Sequence, residues 1–152
     1  MRRFAIVAGL SLCCSGCFIV PGSRVEWMDF SATPVQQVEP PINAADAAKE
    51  AADWFVVNGY KKTEFEAFGS SGRYSFHLVH KEYPDGYRVV DEYLLITAGT
   101  GDAVLFNFDR IDDTTVKFPP DEVQYWQNQL ESALKTATGN PYKVVLVKNT
   151  AP

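Results

Sequence analysis

The chain has 152 residues, of which 46% are hydrophobic, and a formal net charge of −5 at pH 7. That length suits one domain with a substantial hydrophobic core, and the acidic balance argues against nucleic acid as a partner. All three cysteines lie at positions 13, 14 and 17, so the rest of the chain has no thiol for a disulfide, zinc binding or nucleophilic catalysis.

A positively charged start, an apolar stretch and an exit of small residues open the chain. Arginines at positions 2 and 3 precede the mostly apolar residues 4–12, and a serine and a glycine precede Cys17. This pattern is typical of a secretory signal. The apolar stretch is shorter than the roughly 20 residues that span a bilayer. Residues 1–16 are therefore predicted to be a signal peptide.

The end of this signal, Cys14-Ser15-Gly16-Cys17, resembles the lipobox of bacterial lipoproteins. In that family an aliphatic residue and two small residues precede the cysteine that is diacylated and becomes the mature N-terminus. Here Cys14 takes the aliphatic position, as a small hydrophobic residue. The resemblance implies lipidation at Cys17 and anchoring in the lipid bilayer through its acyl chains. Cys13 and Cys14 are alternative attachment points, with poorer residues before them.

The residue after the lipidated cysteine bears on localisation. In the lipoprotein family an aspartate there retains the protein in the inner membrane, whereas this chain has Phe18. The resemblance therefore implies the outer membrane of a Gram-negative cell envelope. An ordinary cleaved signal and an N-terminal anchor are the other interpretations of residues 1–17.

Residues 17–43 are predicted to form the lipidated N-terminus and a tether, because the segment contains four prolines. Within it, residues 25–30 read Val-Glu-Trp-Met-Asp-Phe and are too apolar for a linker alone. An extra strand is favoured for them over an exposed peptide that binds a partner.

Residues 44–152 are predicted to form a single α+β domain. Helical spacing of apolar residues, with Asn43 as N-cap, predicts a first helix over 44–58. A second helix is predicted to begin at Pro120, which is followed by two acidic residues, and to end at Gly139. Alternating or β-branched stretches predict strands over 60–68, 73–82, 87–97, 103–110, 114–118 and 142–148. The short turns between the middle strands indicate antiparallel pairing.

The expected architecture is an antiparallel sheet of four to six strands with two helices packed on one face, in the order (β)αββββ(β)αβ. It resembles cystatin-like and helix-grip folds, in which a helix lies across a curved sheet. That resemblance concerns the fold and says little about function.

Titratable residues do not form a recognisable catalytic or metal-binding motif in the sequence. His77 and His80 are three residues apart on a predicted strand, so regular alternation would point them to opposite faces, where they could not share a metal. His80 is expected on the face of Tyr74, Phe76 and Leu78. Asp91 and Glu92 are adjacent and should also point to opposite faces.

A cluster of aspartates in and after one hairpin matches no known spacing of calcium ligands. Its members are Asp102, Asp109, Asp112 and Asp113. A solvated acidic edge is the favoured interpretation. The tryptophans at positions 54 and 126 fall on predicted buried helix faces, so core packing is favoured for them over ligand binding.

The sequence therefore predicts a lipoprotein anchored in the outer membrane, whose small domain is a non-enzymatic binding or assembly module. No catalytic, cofactor or metal residue is assigned, and an envelope protein is the expected partner. One alternative is a carrier or sensor of a hydrophobic ligand, with a cavity lined by Phe65, Phe76, Tyr93 or Phe106. A second alternative is a periplasmic hydrolase that uses His80 or carboxylates.

Overall fold

A computed structural model describes residues 24–36, 42–63, 72–82, 84, 89–112 and 118–150. Within these ranges the chain forms six strands and two helices. In chain order they are β1 Arg24–Pro34, α1 Ala44–Val57, β2 Lys61–Lys62, β3 Arg73–Glu82, β4 Val89–Ala98, β5 Val104–Asp112, α2 Pro120–Thr138 and β6 Tyr142–Thr150. The predicted α+β class and element order are confirmed. Residues 64–68 and 114–117, which were predicted to be extended, lie outside the described residues.

The strands form one antiparallel sheet in the order β2-β3-β4-β5-β1-β6. β1 pairs with β5 on one side and with β6 on the other. The apolar segment 25–30 is therefore a strand, as favoured, and not an exposed peptide. The prediction that residues 17–43 form a tether was wrong for residues 24–34, because these residues complete the ladder between two other strands.

The first helix begins and ends close to its predicted bounds. The side chain of Asn43 accepts a hydrogen bond of 2.8 Å from the backbone N–H of Asp46, which satisfies one of the free donors of the first turn. The buried face consists of small residues and one aromatic side chain, Ala44, Ala47, Ala48, Ala51, Ala52 and Phe55. Small side chains let the helix axis approach the sheet closely.

The second helix begins at Pro120 and ends before Gly139, which adopts a left-handed conformation with φ of 75°. The backbone N–H of Gly139 donates a hydrogen bond to the carbonyl of Lys135. This left-handed C-cap is a conformation that glycine adopts without steric cost. Trp126, Leu130 and Leu134 are buried, as the sequence predicts. Neither described helix combines the length and the apolar character that crossing a membrane requires.

Both helices pack on the same face of the sheet. Core positions alternate along the strands, with Met28 and Phe30 on β1 and Leu94 and Ile96 on β4, all 1% exposed or less. In register, Leu94 lies opposite Phe108 and forms part of the same cluster as the helix residues. The sheet therefore has one buried face and one face that the two helices leave open.

A charged triad lies at the margin of the core, where α2 meets the sheet. Arg110 on β5 donates to Glu92 on β4 at 2.6 Å and to Glu122 on α2 at 2.5 Å. The guanidinium also lies 4.2 Å from the ring centroid of Phe118. The triad thus joins the first turn of α2 to two neighbouring strands.

The pKa values of Arg110 and Glu122 reflect one cation shared by two carboxylates. Burial opposes the charge on Arg110, but Glu92 and Glu122 outweigh that effect and raise the guanidinium pKa. Burial is the largest effect on Glu122 and raises its pKa, Arg110 lowers it, and the charges of Glu92 and Asp121 raise it, so that the pKa of Glu122 is raised on balance. The ionised form of Glu122 is therefore stabilised incompletely, even with its partner in place.

We expect Arg110→Met to lower the free energy of unfolding by about 3 kcal/mol at pH 7, because it leaves two half-buried carboxylates without their cation. The loss should be smaller at pH 5. Without Arg110 the pKa of Glu122 rises further, so the folded variant binds more protons than the unfolded chain and gains stability as the pH falls. Urea denaturation of both proteins at the two pH values measures this difference.

Lys49→Met provides the matched control, because Lys49 pairs with Asp53 on the exposed surface of α1. The loss of stability in Lys49→Met should be small and similar at both pH values, because an exposed ion pair contributes little. An equal loss for Arg110→Met at pH 5 and pH 7 would contradict the assigned role of the triad.

Candidate functional site on the open face of the sheet

The open face is the sheet surface opposite the two helices. It carries the strand residues that alternate with the core positions, which are Trp27, Asp29 and Ser31 on β1, Asp91, Tyr93 and Leu95 on β4, and Leu105, Asn107 and Asp109 on β5. All of these side chains are half-buried. The face therefore combines aromatic, acidic and amide groups on a rigid framework.

A β-bulge in β3 changes which of its side chains reach this face. His77 lies opposite Tyr93, but Val79 already lies opposite Glu92, so Leu78 is an extra residue in β3. His80 then lies opposite Asp91. An extra residue reverses the alternation beyond it, and both histidines consequently project from the open face.

The prediction that His77 and His80 point to opposite faces was wrong for this reason. The expectation that His80 shares the face of Tyr74 and Phe76 was also wrong, because those residues precede the bulge and lie on the helix side of the sheet. The predicted opposition of Asp91 and Glu92 is confirmed, since Glu92 binds Arg110 beside the core.

The two histidines converge on one carboxylate oxygen. His77 Nε2 lies 3.1 Å from Asp91 Oδ1, and His80 Nδ1 lies 2.8 Å from the same atom. The side chains are 31%, 49% and 22% exposed for His77, His80 and Asp91, so solvent reaches the cluster. We call His77, His80 and Asp91 the histidine–aspartate cluster.

Neighbouring side chains hold both imidazole rings. The His77 ring stacks on Tyr93 with a centroid separation of 4.9 Å and an interplanar angle of 16°. His80 Nε2 lies 3.4 Å from Glu82 Oε1. Hydrogen bonding to Asp91, and then to Glu82, raises the pKa of His80. Burial, with a contribution from the charge of Asp91, raises the pKa of Tyr93.

The part of the open face away from the histidine–aspartate cluster contains Trp27 and Asp29 of β1 and their contacts with β5 and β6. Asn107 donates a hydrogen bond of 2.8 Å to Asp29 Oδ1, and the Lys148 ammonium lies 5.2 Å from the centroid of the Trp27 ring. Asp109 lies opposite both Trp27 and Tyr93 in the ladder. Burial raises the pKa of Asp109, and the charge of Asp29 raises it further.

The aspartates considered for calcium do not come together as a group. Asp102 is exposed in the turn before β5, whereas Asp109 is half-buried near the other end of that strand. Asp112 pairs with Arg24 in the ladder, and Asp113 lies outside the described residues. The described residues thus give no support to a shared calcium loop.

The residues considered for a hydrophobic ligand are divided between the two faces. Phe76 and Phe106 are fully buried on the helix side, whereas Tyr93 lies on the open face against His77. Phe65 lies outside the described residues, as does Cys17. Phe76, Phe106 and Tyr93 therefore cannot line one common cavity.

Comparisons with known proteins do not place the chain in a family. No family model matches it, and no curated protein matches it. Among solved structures, it is similar to a Burkholderia cenocepacia protein named as an amidohydrolase/peptidase, with 13% identity, 86% of this chain and 29% of that chain covered, and a TM-score of 0.31. A Burkholderia vietnamiensis amidase of the hydantoinase/carbamoylase family gives 13% identity, coverage of 84% and 28%, and a TM-score of 0.26.

The chain spans less than a third of either structure, and TM-scores this low carry no argument about fold or activity.

We expect Asp109→Asn to raise the stability of the domain at pH 7. A carboxyl whose pKa is raised by folding destabilises the folded state once the pH exceeds that pKa, and the neutral amide removes this effect. The gain should disappear near pH 3, where Asp109 is protonated in both the folded and the unfolded chain. Thermal unfolding at the two pH values measures it.

Asp102→Asn is the control, because it changes an exposed aspartate in the turn before the same strand. It should leave the midpoint nearly unchanged. A lower midpoint for Asp109→Asn at pH 7 would show that this carboxylate makes a net favourable contact.

Proposed function

We propose that the chain is a lipoprotein anchored in the bacterial outer membrane by acyl chains on Cys17, and that its domain is a non-enzymatic binding or assembly module. The observation that carries this proposal is the placement of all three cysteines within Cys13–Cys17, at the end of a signal-like segment. Every described residue belongs to a domain without thiols, which suits an oxidising envelope compartment.

The anchor follows from the physical chemistry of lipidation. Each buried methylene contributes about 0.8 kcal/mol, and a single acyl chain binds a bilayer only reversibly. Lipidation of the bacterial lipoprotein type places two or three chains on one cysteine, and this makes attachment effectively permanent. The chain then needs no membrane-spanning helix to remain at the bilayer.

The position of β1 supports a domain held close to the membrane. Only residues 18–23 separate Cys17 from Arg24, where the sheet begins. Even fully extended, such a segment spans only roughly 20 Å. A domain on so short a connection can contact lipid headgroups and membrane-embedded partners directly.

The open face of the sheet is the surface that we assign to partner binding. Its half-buried aromatic and acidic side chains, Trp27, Tyr93 and Asp109 among them, are residue types that contribute both apolar area and hydrogen bonds. β1, β4 and β5 each pair with a strand on both sides, and this keeps these groups in fixed positions. An envelope protein with complementary basic groups is the expected partner.

The geometry weakens one alternative function, the carrier of a hydrophobic ligand, and adds an observation to the other, the periplasmic hydrolase. The carrier alternative loses its proposed lining, since Phe76 and Tyr93 lie on opposite faces of the sheet. The hydrolase alternative gains a convergent pair of titratable groups in His80 and Asp91. Hydrolysis also requires a substrate pocket with groups that stabilise the reacting atoms, and the described surface around His80 is exposed.

Metabolic labelling tests the anchor. We expect the chain expressed in a Gram-negative host to incorporate radiolabelled palmitate, and Cys17→Ser to abolish incorporation and leave the signal uncleaved. Cys13→Ser is the matched control and should retain labelling, because it leaves the lipobox-like residues intact. Normal labelling and processing of Cys17→Ser would refute the proposal.

Membrane fractionation tests the predicted localisation. We expect the lipidated chain in the outer-membrane fraction and expect Phe18→Asp to move most of it to the inner membrane, as the family's sorting rule implies. Phe18→Asn, which has similar size without the charge, separates the effect of aspartate from that of losing the aromatic ring. An unchanged distribution of Phe18→Asp would show that another signal determines localisation.

A further inference from the structure

We propose that the histidine–aspartate cluster binds a first-row divalent transition-metal ion, with zinc as the expected occupant. Two imidazole nitrogens and one carboxylate oxygen are the donor set of open, three-ligand zinc sites. This inference concerns the described domain alone and does not depend on lipidation at Cys17.

The donor atoms are already close enough to share one ion. Each of His77, His80 and Asp91 offers one ligand atom, an imidazole nitrogen or a carboxylate oxygen. These three atoms all lie within 4.8 Å of one another. Zinc bonds of about 2.0–2.2 Å in tetrahedral geometry place ligand atoms roughly 3.3 Å apart. The contacts of 3.1 and 2.8 Å to Asp91 Oδ1 are close to that separation. The two imidazole nitrogens lie within 4.8 Å of each other, and side-chain rotation would bring them to the tetrahedral separation when the ion binds.

The surroundings orient both imidazoles as metal ligands. Glu82 Oε1 lies 3.4 Å from His80 Nε2 and can accept a hydrogen bond from Nε2–H. When metal binds, His80 can therefore keep its proton on Nε2, and Nδ1, which faces Asp91, loses its proton to solvent and binds the ion. A carboxylate behind a metal-binding histidine is the usual arrangement in zinc proteins. Stacking on Tyr93 fixes the His77 ring with Nε2 toward Asp91. Metal would therefore bind through different nitrogens of the two rings.

Three protein donors leave at least one coordination position open. His80 is about half exposed, so this position can be filled by water or by a donor atom from another molecule. Two neutral imidazoles and one carboxylate leave a net charge of +1 on a zinc complex. The site would accordingly accept an anionic group, such as a carboxylate side chain of a bound protein.

Zinc titration of the full chain tests the proposal, with its three cysteines alkylated and any affinity tag removed. We expect one zinc ion per chain by isothermal titration calorimetry, and no competition from magnesium, which prefers oxygen ligands. The chain has two histidines, so imidazole ¹⁵N spectra report the site directly. Zinc should shift Nε2 of His77 and Nδ1 of His80.

Variants separate metal ligation from folding. Asp91→Asn and His80→Gln should each weaken binding by more than about 10-fold, and Glu82→Gln should weaken it by about 10- to 100-fold through orientation of His80. Asp102→Asn is the matched control and should bind zinc as the unmodified chain does. Circular dichroism of each variant checks that it is folded.

The proposal is overturned if zinc at 1 mM does not bind, if both histidine spectra stay unchanged, or if folded Asp91→Asn and His80→Gln keep full affinity. Magnesium competing at the same concentration as zinc would also overturn it, since the site would then be an oxygen-ligand site.

Discussion

Packing of both helices against one face of the sheet is the constraint on which the other features depend. Side chains alternate between the two faces along each strand. Because Leu94 and Phe106 are buried in the core, the residues next to them in sequence must point to the opposite face. A slip of one residue would expose the aromatic core and bury acids such as Asp91, at a cost of several kcal/mol for each unpaired charge. The register that buries the apolar residues thus also determines which residues lie on the open face.

The bulge at Leu78 is the one point in β3 where this alternation is broken, and it creates the histidine–aspartate cluster. In a regular strand, residues three apart cannot share a face. The extra residue places His77 and His80 beside Asp91 while Leu78 still packs against the core. β-Bulges are common where a strand re-aims a side chain for function. The energetic cost of a disrupted ladder is local, since the pairing of β3 with β4 continues to Glu82.

Much of the fold could be predicted from the sequence because its signals are local. Asn43 and Gly139 delimit the helices through backbone chemistry, and β3 has the predicted bounds Arg73–Glu82. The domain start was placed too late, since prolines in 17–43 suggested a tether and the pairing partners of β1 are distant in sequence. The cluster was missed because alternation was assumed to be unbroken. The consecutive apolar pair Leu78-Val79 was the available sign of a bulge.

The start of β1 and the histidine–aspartate cluster lie at the same end of the sheet. Asp91 lies opposite Ile111 on β5, and Ile111 lies opposite Val25 near the start of β1. Two strand spacings, about 10 Å, separate Asp91 from Val25. The chain that runs from Cys17 into β1 therefore enters the sheet beside the histidine–aspartate cluster. Lipidation would hold the open coordination position near the bilayer surface, and this would restrict its anionic ligand to lipid headgroups or to proteins that reach that surface.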